Sequence, residues 1–227
     1  SSGGWPHTAM SLHLAVYGGM FDPVHKGHVE AARFTLERLQ LHSLKMIPCG
    51  NPNHRVDATE DSSHRFRMLE LATCHDAEIE IDPIEINGAG TSYTTETLAK
   101  LNEQEPGARL IFVLGIDSFN SLPQWHQYDS IFQYCSLFVL SRPGESVSVE
   151  TANLIGLDER KVDTGEELVA AETGKILFAD DFQFDISSTL VRDKLKAGAI
   201  VDDVLDQAVL DYIKENGLYS SLDQPHK

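Results

Sequence analysis

The densest grouping of reactive residue types is Gly18-Gly19-Met20-Phe21-Asp22-Pro23-Val24-His25-Lys26-Gly27-His28, with two imidazoles three positions apart behind a glycine pair. Glycines let a backbone approach a ligand closely, and a helix starting here offers unpaired N–H groups and the positive end of its dipole. Two imidazoles within one turn add donors that can follow charge as it develops on a phosphate. Residue types in this pattern suit phosphoryl or nucleotidyl transfer, with Lys26 as a further candidate phosphate partner. The run is neither the dinucleotide fingerprint G-x-G-x-x-G nor a P-loop ending in Gly-Lys-Ser/Thr, and it lacks the glutamate of H-E-x-x-H zinc sites. A second grouping, Ser187-Ser188-Thr189 with Arg192, puts hydroxyls at a helix start and a guanidinium one turn inside it. Alone it is a routine N-cap; beside the first grouping it is a second set of donors for a triphosphate. His7, His13, His42, His75, His126 and His226 stand apart from such settings and read as structural or solvated.

These residues need a frame, and the hydrophobic pattern supplies one. Leu12 to Tyr17 is a β-rich run ending in glycines, after which Val29, Ala32, Leu36 and Leu39 recur at helical spacing. Further strands are expected at Leu44–Ile47, Ile79–Ile81, Leu110–Gly115, Ser136–Leu140 and Ile176–Phe178, with helices at His64–Cys74, Thr94–Leu101 and Ser188–Lys196. Leu205, Val209, Tyr212 and Ile213 form the stripe of a last helix stopped by Gly217. Between Gly144 and Gly174 the chain is polar with little periodicity, and it reads as a peripheral insertion with one short helix near Ala152 and no chemistry. Strands alternating with helices imply a single doubly wound, Rossmann-like α/β domain over residues 10–227, its mainly parallel sheet covered by helices on both faces. Ligands in such a domain lie beyond the carboxyl ends of the strands where the strand order reverses. Residues 1–9 read as a cloning remnant ahead of Met10.

At 227 residues the chain can bury a sizeable core, and 41% hydrophobic with 23% charged residues is the composition of an ordinary globule. Its 18 Lys and Arg against 35 Asp and Glu leave a net charge of −17, which repels nucleic-acid backbones and anionic membranes and argues against either as a partner. A small anionic ligand must therefore be met by locally concentrated donors. Cys49, Cys74 and Cys135 are odd in number and form no C-x-x-C, so neither a disulfide framework nor a protein-bound metal is indicated, and a cytoplasmic setting is expected. No run approaches the roughly 18 to 20 apolar residues of a membrane helix, and the N-terminus lacks a secretory pattern.

The run G-G-x-F-D-P-x-H-x-G-H strongly resembles the signature of the H-x-G-H nucleotidylyltransferase superfamily, and Ile186 to Arg192 resembles its I-S-S-T-x-x-R motif. Within that superfamily the middle of the chain is similar to the bacterial nicotinate mononucleotide adenylyltransferases. Ser92-Tyr93-Thr94 through Leu98 matches their S-Y-T-x-x-T-L segment; Gly115-Ile116-Asp117-Ser118 and Pro123-Gln124-Trp125 match G-x-D-S and P-x-W. Asn51 to Arg55, His64 to Ala72, Ser141-Arg142-Pro143-Gly144 and the ending Asn216-Gly217-Leu218-Tyr219 extend the likeness to nearly everything from Ala15 to Tyr219. Met20, where members often carry Thr or Ser, and Cys49-Gly50, where some carry asparagines, depart from it.

The resemblance implies transfer of an adenylyl group from ATP, with Mg²⁺, to nicotinate mononucleotide, giving deamido-NAD and pyrophosphate. It assigns His25, His28 and Arg192 to the reacting phosphates, Ser187, Ser188 and Thr189 to the triphosphate, and Gly18, Gly19 and Phe21 to loop shape. For the acceptor it implies main-chain amides of Tyr93 and Thr94 at the pyridine carboxylate, Trp125 stacked on the ring, His54 in a closing loop, and Asp117 at a ribose. The shared phosphate motifs leave nicotinamide mononucleotide and phosphopantetheine as alternative acceptors, and a catalytically silent nucleotide-binding regulator as an alternative of another class. Oligomeric state is not legible.

Overall fold

The computed structural model describes residues 12–50, 58–182 and 185–220. In chain order the elements are β1 (His13–Gly19), α1 (Lys26–Arg38), β2 (Leu44–Pro48), α2 (Ser62–Thr73), β3 (Ile79–Ile81), α3 (Thr94–Gln104), β4 (Arg109–Gly115) and α4 (Ile116–Asn120). After two single 3₁₀ turns follow α5 (Ile131–Tyr134), β5 (Cys135–Leu140), α6 (Val149–Ile155), α7 (Leu157–Arg160), α8 (Gly165–Ala170), β6 (Ile176–Ala179), α9 (Ser188–Lys196) and α10 (Gln207–Glu215). The six strands form one sheet in the order β3-β2-β1-β4-β5-β6, and every neighbouring pair is parallel. The doubly wound expectation therefore holds, with the mainly parallel sheet parallel throughout.

Strand side chains alternate between the two faces, so each strand feeds two cores. Ala15, Met46, Ile111, Val113 and Phe138 pack under Val29, Leu36, Met68, Val191 and Val209 from α1, α2, α9 and α10. Leu14, Val16, Ile47, Leu110, Phe112 and Val139 pack on the other face under Leu98, Leu101, Phe119 and Ile131 from α3, α4 and α5. The order reverses between β1 and β4, whose register pairs Ala15 with Ile111 and Tyr17 with Val113. A crevice opens at the carboxyl ends of such a pair because the chain leaves the two strands toward opposite faces.

The segment 144–174 corrects the sequence reading. It carries three helices, not one, and anchors itself through buried Thr151, Ile155 and Leu168 and a bridge from Lys161 to Ile176. Helices of four to seven residues are too short to display a 3.6-residue period. Among the described residues no helix is long and apolar enough to cross a membrane. The expectation for residues 1–9 lies outside the described residues.

Candidate active site

The chain leaves β1 at the switch point, turns through Met20 to Val24, and enters α1 with His25 as its N-cap. The His25 N–H donates to His28 Nδ1 at 3.1 Å, which assigns the ring proton of neutral His28 to Nε2. The two rings stack, centroids 3.6 Å apart and 22° from parallel. His25 Nδ1 faces the His28 amide as in a capping box. That amide is already donated to the His25 carbonyl at 3.1 Å, so Nδ1 is left buried without a partner of hydrogen-bond geometry. Burial, reinforced by the Arg142 guanidinium, lowers His25 to about 4. Burial and then the neighbouring His25 hold His28 well below the usual imidazole range. Both rings are accordingly neutral at pH 7 and serve as donors, not as cations.

Phe21 and Gly19 shape the turn. Phe21 has φ of 50°, a left-handed conformation that few non-glycine residues adopt, and its buried ring meets His28 edge-on at 4.9 Å and Tyr17 at 5.6 Å. A Cβ on Gly19 would lie 3.1 Å from that ring, tighter than an ordinary contact, so a side chain at 19 would press on it. At Gly18 a Cβ would meet Phe112 at an ordinary 3.7 Å, and there the glycine borders the cavity described below.

The late motif closes on this turn from 165 positions away: Ser188 Oγ donates to the Pro23 carbonyl at 3.0 Å. Arg192 Nη1 donates to the Asp22 carbonyl at 2.7 Å, and Nη2 to Thr189 Oγ1 at 3.3 Å. Front and rear motifs are therefore one unit, although their donors are not simply open to a ligand. Ser187 is the N-cap of α9, its Oγ accepting from the Leu190 N–H at 3.1 Å. Ser188 and Arg192 each give a hydrogen bond to carbonyls of the turn, because a buried turn leaves acceptors that need donors. Lys26, expected as a phosphate partner, likewise has a backbone bond to make: its Nζ donates to the Asp202 carbonyl at 2.6 Å, and its N–H to Val204 O at 2.8 Å.

Beside the imidazole pair lies a cavity of about 450 Å³ whose lining brings together Gly18, Gly19, His28, Tyr93, Thr94 and Trp125. Tyr93 is the N-cap of α3 without a side-chain cap bond, and Thr97 is the first residue of the helix to donate back, to Tyr93 O. The N–H groups of Thr94, Thr95 and Glu96 thus belong to the helix's unpaired first turn, a setting that favours an anion. Trp125 presents its ring with Nε1 fixed on Ser121 Oγ at 3.1 Å and Phe112 edge-on at 6.2 Å. Asp117 lies apart from this lining, accepting from Arg142 Nη1 at 3.2 Å, while Arg142 Nη2 reaches Asp185 at 2.8 Å. His54 lies outside the described residues.

Two residues that sequence reasoning passed over belong here. His126, read as structural or solvated, lines the cavity, sets its ring against Tyr93 at 4.2 Å and 30° from parallel, and accepts from Thr95 Oγ1 through its carbonyl at 2.7 Å. Arg142, quoted only as part of a strand-end segment, acts electrostatically on His25.

Fold and site together define the class of α/β proteins that handle nucleotides at the switch point of a parallel sheet, with imidazole donors at a helix N-terminus. The chain belongs to the cytidylyltransferase-like family, whose profile matches residues 16–194, and within it to the nicotinate-nucleotide adenylyltransferases. It is 37% identical over 206 residues to the "Probable nicotinate-nucleotide adenylyltransferase" of Pseudoalteromonas atlantica, covering 91% of this chain and 94% of that protein. It is 36% identical over 207 residues to the nicotinate-nucleotide adenylyltransferase of Salmonella typhimurium, covering 90% and 97%. In fold it is similar to the solved Plasmodium falciparum nicotinic acid mononucleotide adenylyltransferase complexed with NaAD, with a TM-score of 0.70, 16% identity, and 92% and 97% of the two chains covered.

Proposed function

We propose that this protein transfers the adenylyl group of ATP to the 5′-phosphate of nicotinate mononucleotide, releasing pyrophosphate and forming deamido-NAD for NAD biosynthesis. The observation that carries the reading is that one cavity holds both the His28 donor and the open end of α3 beside Trp125. A phosphate donor and an acceptor pocket thus share one space. Relatives that align along nine-tenths of the chain bear the name of this activity.

A phosphate oxygen of the mononucleotide attacks the α-phosphorus of ATP; the bond to the oxygen bridging α- and β-phosphates breaks, and its electron pair leaves with pyrophosphate. The attacking oxygen is already anionic, so no base and no covalent enzyme intermediate are needed. What the chain supplies is alignment, which can account for about 7–11 kcal/mol, and preorganised donors at about 2.7–4 kcal/mol each. His28 Nε2–H supplies such a donor toward the phosphates, supported by His25 behind it. At the other end, α3 amides receive the pyridine carboxylate and Trp125 stacks on the ring. Among the described residues no group of three His, Cys, Asp or Glu side chains stands together as a metal cage. Mg²⁺ enters this proposal as a companion of the triphosphate, and no step is assigned to it.

The test is pyrophosphate release with ATP plus nicotinate mononucleotide, nicotinamide mononucleotide or phosphopantetheine as acceptor. Turnover with the acid mononucleotide at the highest kcat/KM is expected. Faster turnover with either other acceptor reassigns the pocket, and no release with any of them overturns the reading.

A further inference from the structure

The turn that carries the imidazole pair rests on a buried polar body built by parts of the chain far from it. Asp22, only 4% exposed, lies three residues before His25. Its Oδ2 accepts from the Thr59 N–H at 2.6 Å, and its Oδ1 from the Glu60 N–H at 3.3 Å and from the Tyr219 phenol at 2.6 Å. Tyr219, 1% exposed, stands 197 positions from Asp22 and sends its own N–H to Glu60 Oε1 at 3.1 Å. From α2 the equally buried Arg65 donates to Met20 O at 2.8 Å and to Glu60 O at 3.1 Å.

The chain gets Tyr219 there by design of its last elements. α10 ends at Glu215, Gly217 just beyond it reverses the backbone with a φ of 62°, and α10 is itself tied to α2 by the 2.7 Å bond between His64 Nδ1 and the Tyr212 hydroxyl. Burying a carboxylate is costly, and apolar groups of similar volume would fill the space at less expense. What a network of short, charge-assisted bonds adds is direction: it fixes where Asp22 and the turn after it lie. Burial and the Asp22 carboxylate push the phenol's pKa up, so it stays a donor.

We infer that Tyr219 is a positioning residue for adenylyl transfer: its phenol, clasped by the Asp22 carboxylate, holds the turn bearing His25 and His28 in the geometry that the reacting phosphates require. The inference rests on the reaction proposed above. A displacement of about 1 Å at a reacting group can cost on the order of 10²-fold in rate, so a clasp lost at this distance should register in kcat.

The experiment compares steady-state kinetics with both substrates, and thermal melting, for the wild-type protein, Tyr219→Phe, Asp22→Asn, the double variant, and Tyr212→Phe. Tyr219→Phe keeps the buried ring and removes one bond; Tyr212→Phe removes a bond of similar length between α2 and α10 without touching the turn. For Tyr219→Phe, kcat is expected to fall about ten-fold while both KM values stay within about two-fold. The double variant should be no slower than the slower single variant, as for two halves of one clasp. Tyr212→Phe should lower the melting temperature by a comparable amount and leave kcat unchanged. Wild-type kcat in Tyr219→Phe well below its melting temperature, or an equal loss in Tyr212→Phe, overturns the inference alone. No pyrophosphate from the wild type overturns the reaction and this inference with it. Should Asp22→Asn not fold, the Tyr219→Phe and Tyr212→Phe pair still decides.

Discussion

His28 can serve a phosphate only as a neutral donor, because its Nδ1 is occupied as an acceptor and burial keeps the ring from charging. Removing it should therefore erase the proposed transition-state contact, together with the acceptor of the His25 N–H and the ring packing against His25 and Phe21. His28→Ala is expected to lower kcat by about 10²–10³-fold, with a modest fall in melting temperature from the lost ring packing and the His25 N–H left without its acceptor. Pyrophosphate release measured beside a melting curve checks both. Trp125 is the counterpart on the side of the cavity proposed for the acceptor. Trp125→Ala should weaken mononucleotide binding by about 1–3 kcal/mol, on the scale of base–aromatic stacking, and leave ATP binding unchanged in calorimetric titrations of each. The imidazole pair was legible from residue types and spacing as a phosphate site in outline, and the resemblance to the H-x-G-H superfamily then implied its reaction. His126 was not, because a single histidine carries no pattern and its place beside Tyr93 is a tertiary contact.

The end of the cavity proposed for the acceptor depends on one element holding another. Thr95, in the first turn of α3, is 5% exposed and donates through Oγ1 to the His126 carbonyl, joining that turn to the segment that presents Trp125. Thr95→Val keeps the shape and strands the carbonyl. It should cost about 1–3 kcal/mol in urea unfolding and raise the KM for the mononucleotide but not for ATP, because only the α3 side of the cavity loosens. At this scale most of the fold could be read in advance. Residues 110–114 of β4 and 137–140 of β5 are unbroken apolar runs, and the stripes of α1 and α10 repeat at helical spacing. What could not be read is where a polar side chain spends its bonds. Lys26, Ser188 and Arg192 have the right chemistry for a triphosphate, yet each also has a backbone carbonyl to satisfy. Those carbonyls, at Asp202, Pro23 and Asp22, are set by the packing of distant elements. The short helices of 144–174 escaped for a different reason, being too brief to repeat.

Over the whole molecule, the net charge of −17 and the buried imidazoles pull stability in opposite directions as pH falls. Protonating carboxylates relieves self-repulsion and favours the compact state. The imidazoles act the other way. His25 binds its proton near 6.5 in the unfolded chain but near 4 in the fold, so between those values the unfolded state holds more protons and stability declines on acidification. The stabilisation is fully present above 6.5, falls by about 2 kcal/mol by pH 5 and by about 3 kcal/mol by pH 4, with His28 adding in the same direction. Comparison with His25→Asn separates the two effects, because asparagine is a good N-cap and does not titrate, while the carboxylate population stays the same. In urea unfolding at pH 7 and pH 5, the wild type should lose about 2 kcal/mol more than His25→Asn. Equal losses would mean that His25 takes up its proton in the folded protein as readily as in the unfolded chain, and that the imidazole pair is a charged phosphate site, not a neutral one.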